Sequence, residues 1–327
     1  MRVQGGKTTE KEVKGFTMQE LIERPKQKLA VALGYFDGVH LGHRRVLCAA
    51  IDEAKRRGLQ SGVFTFLLSE RHQIKGKALL SPDERRRRIA ALGMDWYYCP
   101  CYEDFYRFSP EEYVQHVLID TMNATAVFCG DNFTFGSGRQ GDVQMLTRLC
   151  RQHGISVTVV PMAWQGGELV SSTRIRDLLL AGHMQQVNEL LGAPYAIEAE
   201  VVHGKHLGSR LGFPTINQKY QPGMLLPGSG IYLGRAQVDG KWYPAATGLG
   251  PQPTVGGTDI TCESFLVGYD GDLYGKVVRL EFLQYFAPIL KFDTLDELKQ
   301  YIADAAAAAK QYFDQNPPPA ADVCTKT

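Results

Sequence analysis

Apolar positions follow two rhythms along this chain, and the change from one to the other divides it. In the first half, short apolar runs alternate with helical patterns. Residues 29–33 form a continuous apolar run. Val46, Leu47, Ala50, Ile51 and Ala54 then recur at three- and four-residue spacing, which predicts a helix closed by Gly58. Residues 62–66, 96–99, 124–129 and 155–160 predict further strands, the last after a helix ending near His153. Ser81-Pro82-Asp83-Glu84 and Ser109-Pro110-Glu111-Glu112 are predicted capping boxes with proline at the first helical position. Strands alternating with helices over this length predict a parallel, doubly wound α/β sheet.

The second rhythm starts after a short helical pattern over residues 183–191 that ends at Gly192. Residues 196–202, 230–238, 242–246, 261–269 and 277–282 read as strands. Asp239-Gly240 predicts a tight hairpin between two of them, and Asp270-Gly271-Asp272 a further turn. Evenly spaced strands with glycine turns predict a small antiparallel β-barrel, closed by a helix over residues 295–313. The expected domains are residues 1–192 and 193–315, with 316–327, which contains Pro317-Pro318-Pro319, as a disordered tail.

Size and composition narrow the function without naming it. At 327 residues the chain is long enough for two cores. Hydrophobic content of 44% and charged content of 22% are those of a globular protein. A formal net charge of +1 argues against bulk capture of nucleic acid or of an anionic membrane, so an anionic ligand needs a local site. No apolar run approaches the eighteen or so residues of a spanning helix. Seven scattered cysteines without a Cys-x-x-Cys fit a reduced, cytoplasmic setting. Oligomeric state is not legible.

The candidate chemistry gathers in four stretches. Gly34-Tyr35-Phe36-Asp37-Gly38-Val39-His40-Leu41-Gly42-His43 joins the first apolar run to the first helix. Its glycines let backbone approach a ligand, and His40 and His43 stand at a helix mouth that favours anions. This outlines a nucleotide-phosphate site; a strand-to-helix turn that merely contains histidines is the competing reading. Gly130-Asp131-Asn132-Phe133-Thr134-Phe135-Gly136 follows another strand at the same sheet edge, where such folds bind ligands. Ser171-Ser172-Thr173-Arg174-Ile175-Arg176 opens a helix that Ser172 or Thr173 can cap, and its arginines oppose the helix dipole unless an anion binds. In the second half, residues 204–217 interrupt the even strand spacing as one long connection. Its glycines, Lys205 and Arg210 can cradle phosphate, and Thr215 can offer a hydroxyl to Mg²⁺, although the spacing is not that of a Walker P-loop.

Taken together, the first three stretches resemble the adenylyltransferase half of the bacterial bifunctional riboflavin kinase/FAD synthetases. The run Gly212-Phe213-Pro214-Thr215-Ile216-Asn217, with Pro253-Thr254, Glu263 and Asp270-Gly271-Asp272-Leu273-Tyr274-Gly275, closely resembles the riboflavin kinases. The resemblance implies a Rossmann-like nucleotidyltransferase domain followed by a riboflavin kinase barrel. It implies that riboflavin is phosphorylated to FMN and FMN adenylylated to FAD, with ATP and Mg²⁺ at both steps and small-molecule flavins and ATP as the partners. By the same resemblance His40 and His43 act at the reacting phosphates. Gly34, Phe36, Asp37, Gly38, Gly42, Asn132, Ser172, Thr173 and Arg176 line that nucleotide site. Gly204, Gly208, Arg210, Gly212 and Pro214 form the kinase ATP loop, Thr215 and Asn217 hold Mg²⁺, and Glu263 is the general base. Alternation of Glu263, Phe265, Val267 and Tyr269 onto one strand face predicts a half-buried carboxylate. A riboflavin kinase with a non-catalytic or regulatory first domain is the alternative.

Overall fold

The computed structural model describes residues 18–69, 76–204, 208, 211–219, 223–251 and 260–318. It divides into two compact units, residues 1–74 with 85–163 and residues 75–84 with 164–327. Among the described residues no helix is long and apolar enough to cross a membrane.

The first unit is built on a six-stranded parallel sheet. Its strands are β1 (Gln19–Glu20), β2 (Leu29–Leu33), β3 (Gln60–Phe64), β4 (Trp96–Tyr98), β5 (Ala124–Gly130) and β6 (Ser156–Val160). They lie in the order β1-β4-β3-β2-β5-β6. Strand β2 is central, and all five of its side chains are buried, which is why it reads as an unbroken apolar run. Helix α1 (Leu41–Arg57) buries Val46, Leu47, Ala50, Ile51 and Ala54, and ends at Gly58, whose φ of 64° is the left-handed cap. Leu33, Phe64, Val127, Tyr113 and Leu146 belong to one continuous core.

The expected capping boxes have different fates. Ser109 and Glu112 exchange both bonds at the start of α3 (Pro110–Glu112), which runs on into a π-helical stretch over Tyr113–Thr121. Ser81 Oγ accepts from the Glu84 amide at 3.2 Å at the start of α2 (Pro82–Ala91), and the Glu84 carboxylate has a second task. It is 1% exposed and paired with both terminal nitrogens of Arg279. Arg279 in turn shares Glu281 with Arg235.

In the second unit, α5 (Ser172–Leu180) and α6 (Met184–Leu191) precede a closed antiparallel barrel. Its strands are β9 (Tyr195–Val202), β10 (Thr215–Lys219), β11 (Gly230–Val238), β12 (Lys241–Gly250), β13 (Thr261–Leu266) and β14 (Val277–Ala287). The Asp239-Gly240 turn has φ of 49° and 83°, the twin positive angles that a two-residue hairpin requires. Helix α7 (Leu295–Gln315) packs Ala305 and Ala309 against Leu233 and Ala246, small residues that allow close approach. Thr294 and Glu297 exchange both capping bonds at its start. Thr294→Ala should cost about 1 kcal/mol of stability in urea unfolding; an unchanged midpoint would contradict a stabilising cap.

Four readings are corrected. Residues 215–219 are strand β10 rather than loop, because they pair with both β9 and β13. Strand β13 ends at Leu266 before a turn in which Gly268 has φ of 76°, so Val267 and Tyr269 leave the strand face of Glu263. The cap of α5 is Ser171, whose hydroxyl accepts from the Arg174 amide, and not Ser172 or Thr173. A two-stranded hairpin, β7 (Trp164–Gln165) with β8 (Glu168–Leu169), lies between β6 and α5 and carries no apolar rhythm to reveal it. The tail from Pro319 onward lies outside the described residues.

Candidate active sites

The first candidate site stands at the carboxyl edge of the parallel sheet. Beyond Leu33 the chain turns through Phe36, Gly38 and Val39, with φ of 52°, 87° and 45°. Two of these are non-glycine residues in the left-handed region, a costly conformation that recurs at functional sites. A Cβ on Gly34 would lie 2.9 Å from the Phe36 ring, so glycine there lets Phe36 fold back and become buried. Asp37 and His40 are also buried, at 3% and 6% exposure. Asn132, on the loop after β5, shares this edge and is exposed.

The two histidines are built as a unit. His40 is the N-cap of α1, its Nδ1 accepting from the His43 amide at 3.3 Å. An accepting Nδ1 leaves the ring proton of neutral His40 on Nε2, where it can be donated to a ligand. The His43 ring stacks on it at 3.6 Å and 16°, and the Phe36 ring meets His43 edge-on at 5.5 Å. Gly42 makes this possible, since a Cβ there would lie 3.2 Å from His40 Cε1 and 3.3 Å from Nδ1. Gly42→Ala therefore separates two effects. Alanine is the better helix former by about 1 kcal/mol, so thermal stability should hold. Displacement of the His40 ring should lower chemistry at this site roughly tenfold. Unchanged turnover would show that the ring has room to move.

Ser172, Thr173 and Arg176 lie in the second unit. Ser172 is the first residue of α5, and Arg176 Nε donates to the Lys77 carbonyl at 3.1 Å. Arg174 pairs with Glu168 at 2.8 Å and donates to the Gln165 carbonyl, fastening the β7–β8 hairpin.

The second candidate site is on the barrel. Glu263 on β13 lies opposite Asn217 of β10 on one side and Gly248 of β12 on the other. It is half-buried. Thr215 and Asn217 are two apart on β10 and share a face. Gly204 is packed so closely on Asn217 that a Cβ would meet its amide nitrogen at 2.3 Å. Gly208 lies against the Phe213 carbonyl and Thr215 Oγ1, and its own carbonyl accepts from Leu211 and Phe213. Gly212 takes φ of 87° in the same turn, just before Pro214. Arg210 lies outside the described residues.

Beside these groups is a cavity lined by Thr215, Glu263, Gly248, Phe265, Ala246 and Ile231, and covered by Leu298, Tyr301 and Ile302 of α7. Its lining is mainly apolar, with Glu263 and Thr215 supplying polar groups. Sequence reading missed the α7 side, because its apolar spacing signals only that the helix packs on something. Tyr301 donates to the Pro288 carbonyl at 2.6 Å and is held in place against Phe292. Cys262, next to Glu263, is fully buried, and burial pushes its thiol up to about 12, which removes it as a nucleophile.

The arrangement offers two different chemistries. One is a set of ring and backbone donors at a helix mouth, suited to phosphate. The other is a carboxylate beside oxygen donors and an apolar slot, suited to taking a proton from a bound hydroxyl.

Comparison with known proteins agrees with that division. A family model described as FAD synthetase matches residues 22–174, and one described as riboflavin kinase matches residues 191–313. The bifunctional riboflavin kinase/FMN adenylyltransferase of Escherichia coli K12 is 30% identical over 310 residues, covering 92% of this chain and 98% of its own length. Its counterpart in Bacillus subtilis is 30% identical, covering 90% and 95%. That of Pseudomonas fluorescens is 31% identical, covering 87% and 94%. A solved structure described as a macrolide-efflux protein from Streptococcus pneumoniae is 26% identical, covers 90% of this chain and 99% of its own, and superposes with a TM-score of 0.80. With both family matches in order on one chain, and full-length relatives at this identity, the chain belongs to the bifunctional riboflavin kinase/FMN adenylyltransferase family.

Proposed function

We propose that this chain phosphorylates riboflavin to FMN at the barrel and adenylylates FMN to FAD at the carboxyl edge of the parallel sheet. The observation that carries this reading is the pairing of each family match with its own polar cluster: stacked histidines capping α1 in one, and Glu263 between Asn217 and Gly248 in the other.

In the kinase step the ribityl 5′-hydroxyl of riboflavin attacks the γ-phosphorus of ATP. Glu263 accepts the hydroxyl proton, and ADP leaves. The apolar cavity beneath α7 suits the planar flavin ring, with the ribityl chain running toward Glu263. Gly204, Gly208, Gly212 and Pro214 follow the nucleotide phosphates, and Arg210 adds charge toward them. Thr215 and Asn217 carry hard oxygen donors on one strand face, and Mg²⁺ needs only one or two protein oxygens beside those of the phosphates. When bound, Mg²⁺ neutralises charge on the phosphates.

In the adenylyl step an FMN phosphate oxygen attacks the α-phosphorus of ATP, and pyrophosphate leaves. No covalent enzyme intermediate is needed, so the residues position groups and stabilise charge. His40 donates from Nε2 and His43 beside it to the phosphate oxygens. The backbone from Gly34 through Gly42, with Phe36, Asp37 and Gly38, shapes the floor. Asn132 orients the substrate, and Ser172, Thr173 and Arg176 hold the leaving pyrophosphate.

Two incubations test the reading. Riboflavin with Mg-ATP should yield FMN and ADP, and supplied FMN with Mg-ATP should yield FAD and pyrophosphate. A chain that leaves supplied FMN unchanged has no adenylyltransferase, and one that leaves riboflavin unchanged has no kinase.

A further inference from the structure

The loop that carries His40 and His43 leaves β2 at Gly34, and its first anchor is the carbonyl of Tyr35. That oxygen accepts two side-chain hydrogen bonds, from Thr65 Oγ1 at 2.8 Å and from Arg85 Nη1 at 3.2 Å. Arg85 Nη2 donates to the Phe66 carbonyl at 3.0 Å and lies 3.5 Å from Cys99 Sγ. A single guanidinium therefore ties together the residues that follow β2, β3 and β4, three neighbouring strands at the ligand-binding edge. The Tyr35 ring packs on the guanidinium at 5.3 Å and on Phe66 at 5.0 Å.

Two features set Arg85 apart from an ordinary packing residue. It is 5% exposed, yet among the described residues its partners are carbonyls, a thiol, the Tyr97 side chain and rings rather than a carboxylate, and its Nε has no partner there. A buried cation with no carboxylate beside it among the described residues is costly to desolvate. The loop it grips also holds Phe36 and Val39 in left-handed conformations that a chain adopts only when its surroundings enforce them. The cost falls at the base of the histidine loop, where an enforced geometry has a use.

We propose that Arg85 is a positioning residue for adenylyl transfer: by gripping the Tyr35 carbonyl it keeps the strained loop set, and so holds His40 and His43 in register with the reacting phosphates. This rests on the assignment of FMN adenylylation to the first unit. Arg85 touches neither substrate; it acts through the backbone of the loop.

The test uses the full-length chain, with Arg85→Met, Arg85→Lys and Thr65→Val. FAD formation from FMN is measured beside FMN formation from riboflavin in the same preparations. Arg85→Met should lower kcat for FAD formation about 100-fold, the scale of a misplacement of about 1 Å. KM for FMN should stay within about threefold, because ground-state contacts are untouched. Arg85→Lys keeps a donor and the charge, and should recover about tenfold of that loss. Thr65→Val removes the other bond to the same carbonyl and should lower kcat in the same direction, which keeps the proposal testable if Arg85→Met does not fold. Kinase turnover should be unchanged in all three. A kcat for FAD formation that is unchanged in Arg85→Met, or in Thr65→Val where Arg85→Met does not fold, overturns the proposal. So does a loss that lowers both reactions equally with the folded fraction. If the unmodified chain makes no FAD, the assignment of the first unit has failed instead.

Discussion

Glu263→Gln should stop FMN formation and leave adenylylation of supplied FMN intact. The substitution keeps the shape and hydrogen-bonding length of the side chain but removes its ability to take a proton. General-base catalysis typically contributes between about 10² and 10⁴ in rate, so kcat for riboflavin phosphorylation should fall within that span. The register supports the choice of residue. Glu263 faces Asn217 across one ladder and Gly248 across the other, and Glu263 and Gly248 both line the cavity. Binding of riboflavin, followed by quenching of flavin fluorescence, should be little altered, because the apolar walls are unchanged. Riboflavin phosphorylation that survives within tenfold would remove Glu263 from the role of base.

His43→Ala should produce the converse phenotype, with FMN accumulating and FAD absent. Removing one preorganised donor to a developing phosphate charge costs about 3 kcal/mol, a fall of between about 10² and 10³ in turnover. Here the loss includes more than a single donor. His43 is the stacking partner of His40 at 3.6 Å, so the alanine variant also frees the His40 ring. The His40→Ala and double variants should therefore lie close to the single variant rather than multiply its effect. Loss of FMN formation in His43→Ala would argue against two independent sites.

The fold was largely legible because its strongest signals are local and physical. An all-buried central strand must read as an apolar run, and β2 does. Gly58 and Gly192 close α1 and α6 with φ of 64° and 66°, which their sequence positions announced. Asp239-Gly240 could be little other than a hairpin turn. What escaped was decided by partners distant in sequence. Residues 215–219 lack a clean alternation, and they become a strand because β9 and β13 flank them. Glu84 fits a capping box locally, and its ion pair with Arg279, far along the chain, is not legible from that spacing. The hairpin at 164–169 is met by Arg174 from the following helix, a contact that no spacing announces.

The sites show the same division. His40 and His43 stood out because a glycine between histidines at a helix mouth is a compact motif, and Gly42 proves to be the residue that gives the His40 ring its space. The pairing of Glu263 with Asn217 followed from strand register, which no spacing rule reveals. Arg85 lay hidden among four consecutive arginines in α2. Nothing in the sequence separates a buried guanidinium from solvated neighbours; only the ends of β2, β3 and β4, brought side by side, give it three carbonyl and thiol partners.

The central claim is that one chain carries both transfers, and isotope labelling tests it most directly. The purified chain is given riboflavin and Mg-ATP labelled separately at the α- and γ-phosphorus. The FAD produced should carry one phosphorus derived from the γ-position and one from the α-position, with pyrophosphate released in step with FAD. A flavin product bearing only the γ-derived label, with FMN accumulating and no pyrophosphate, would contradict the account.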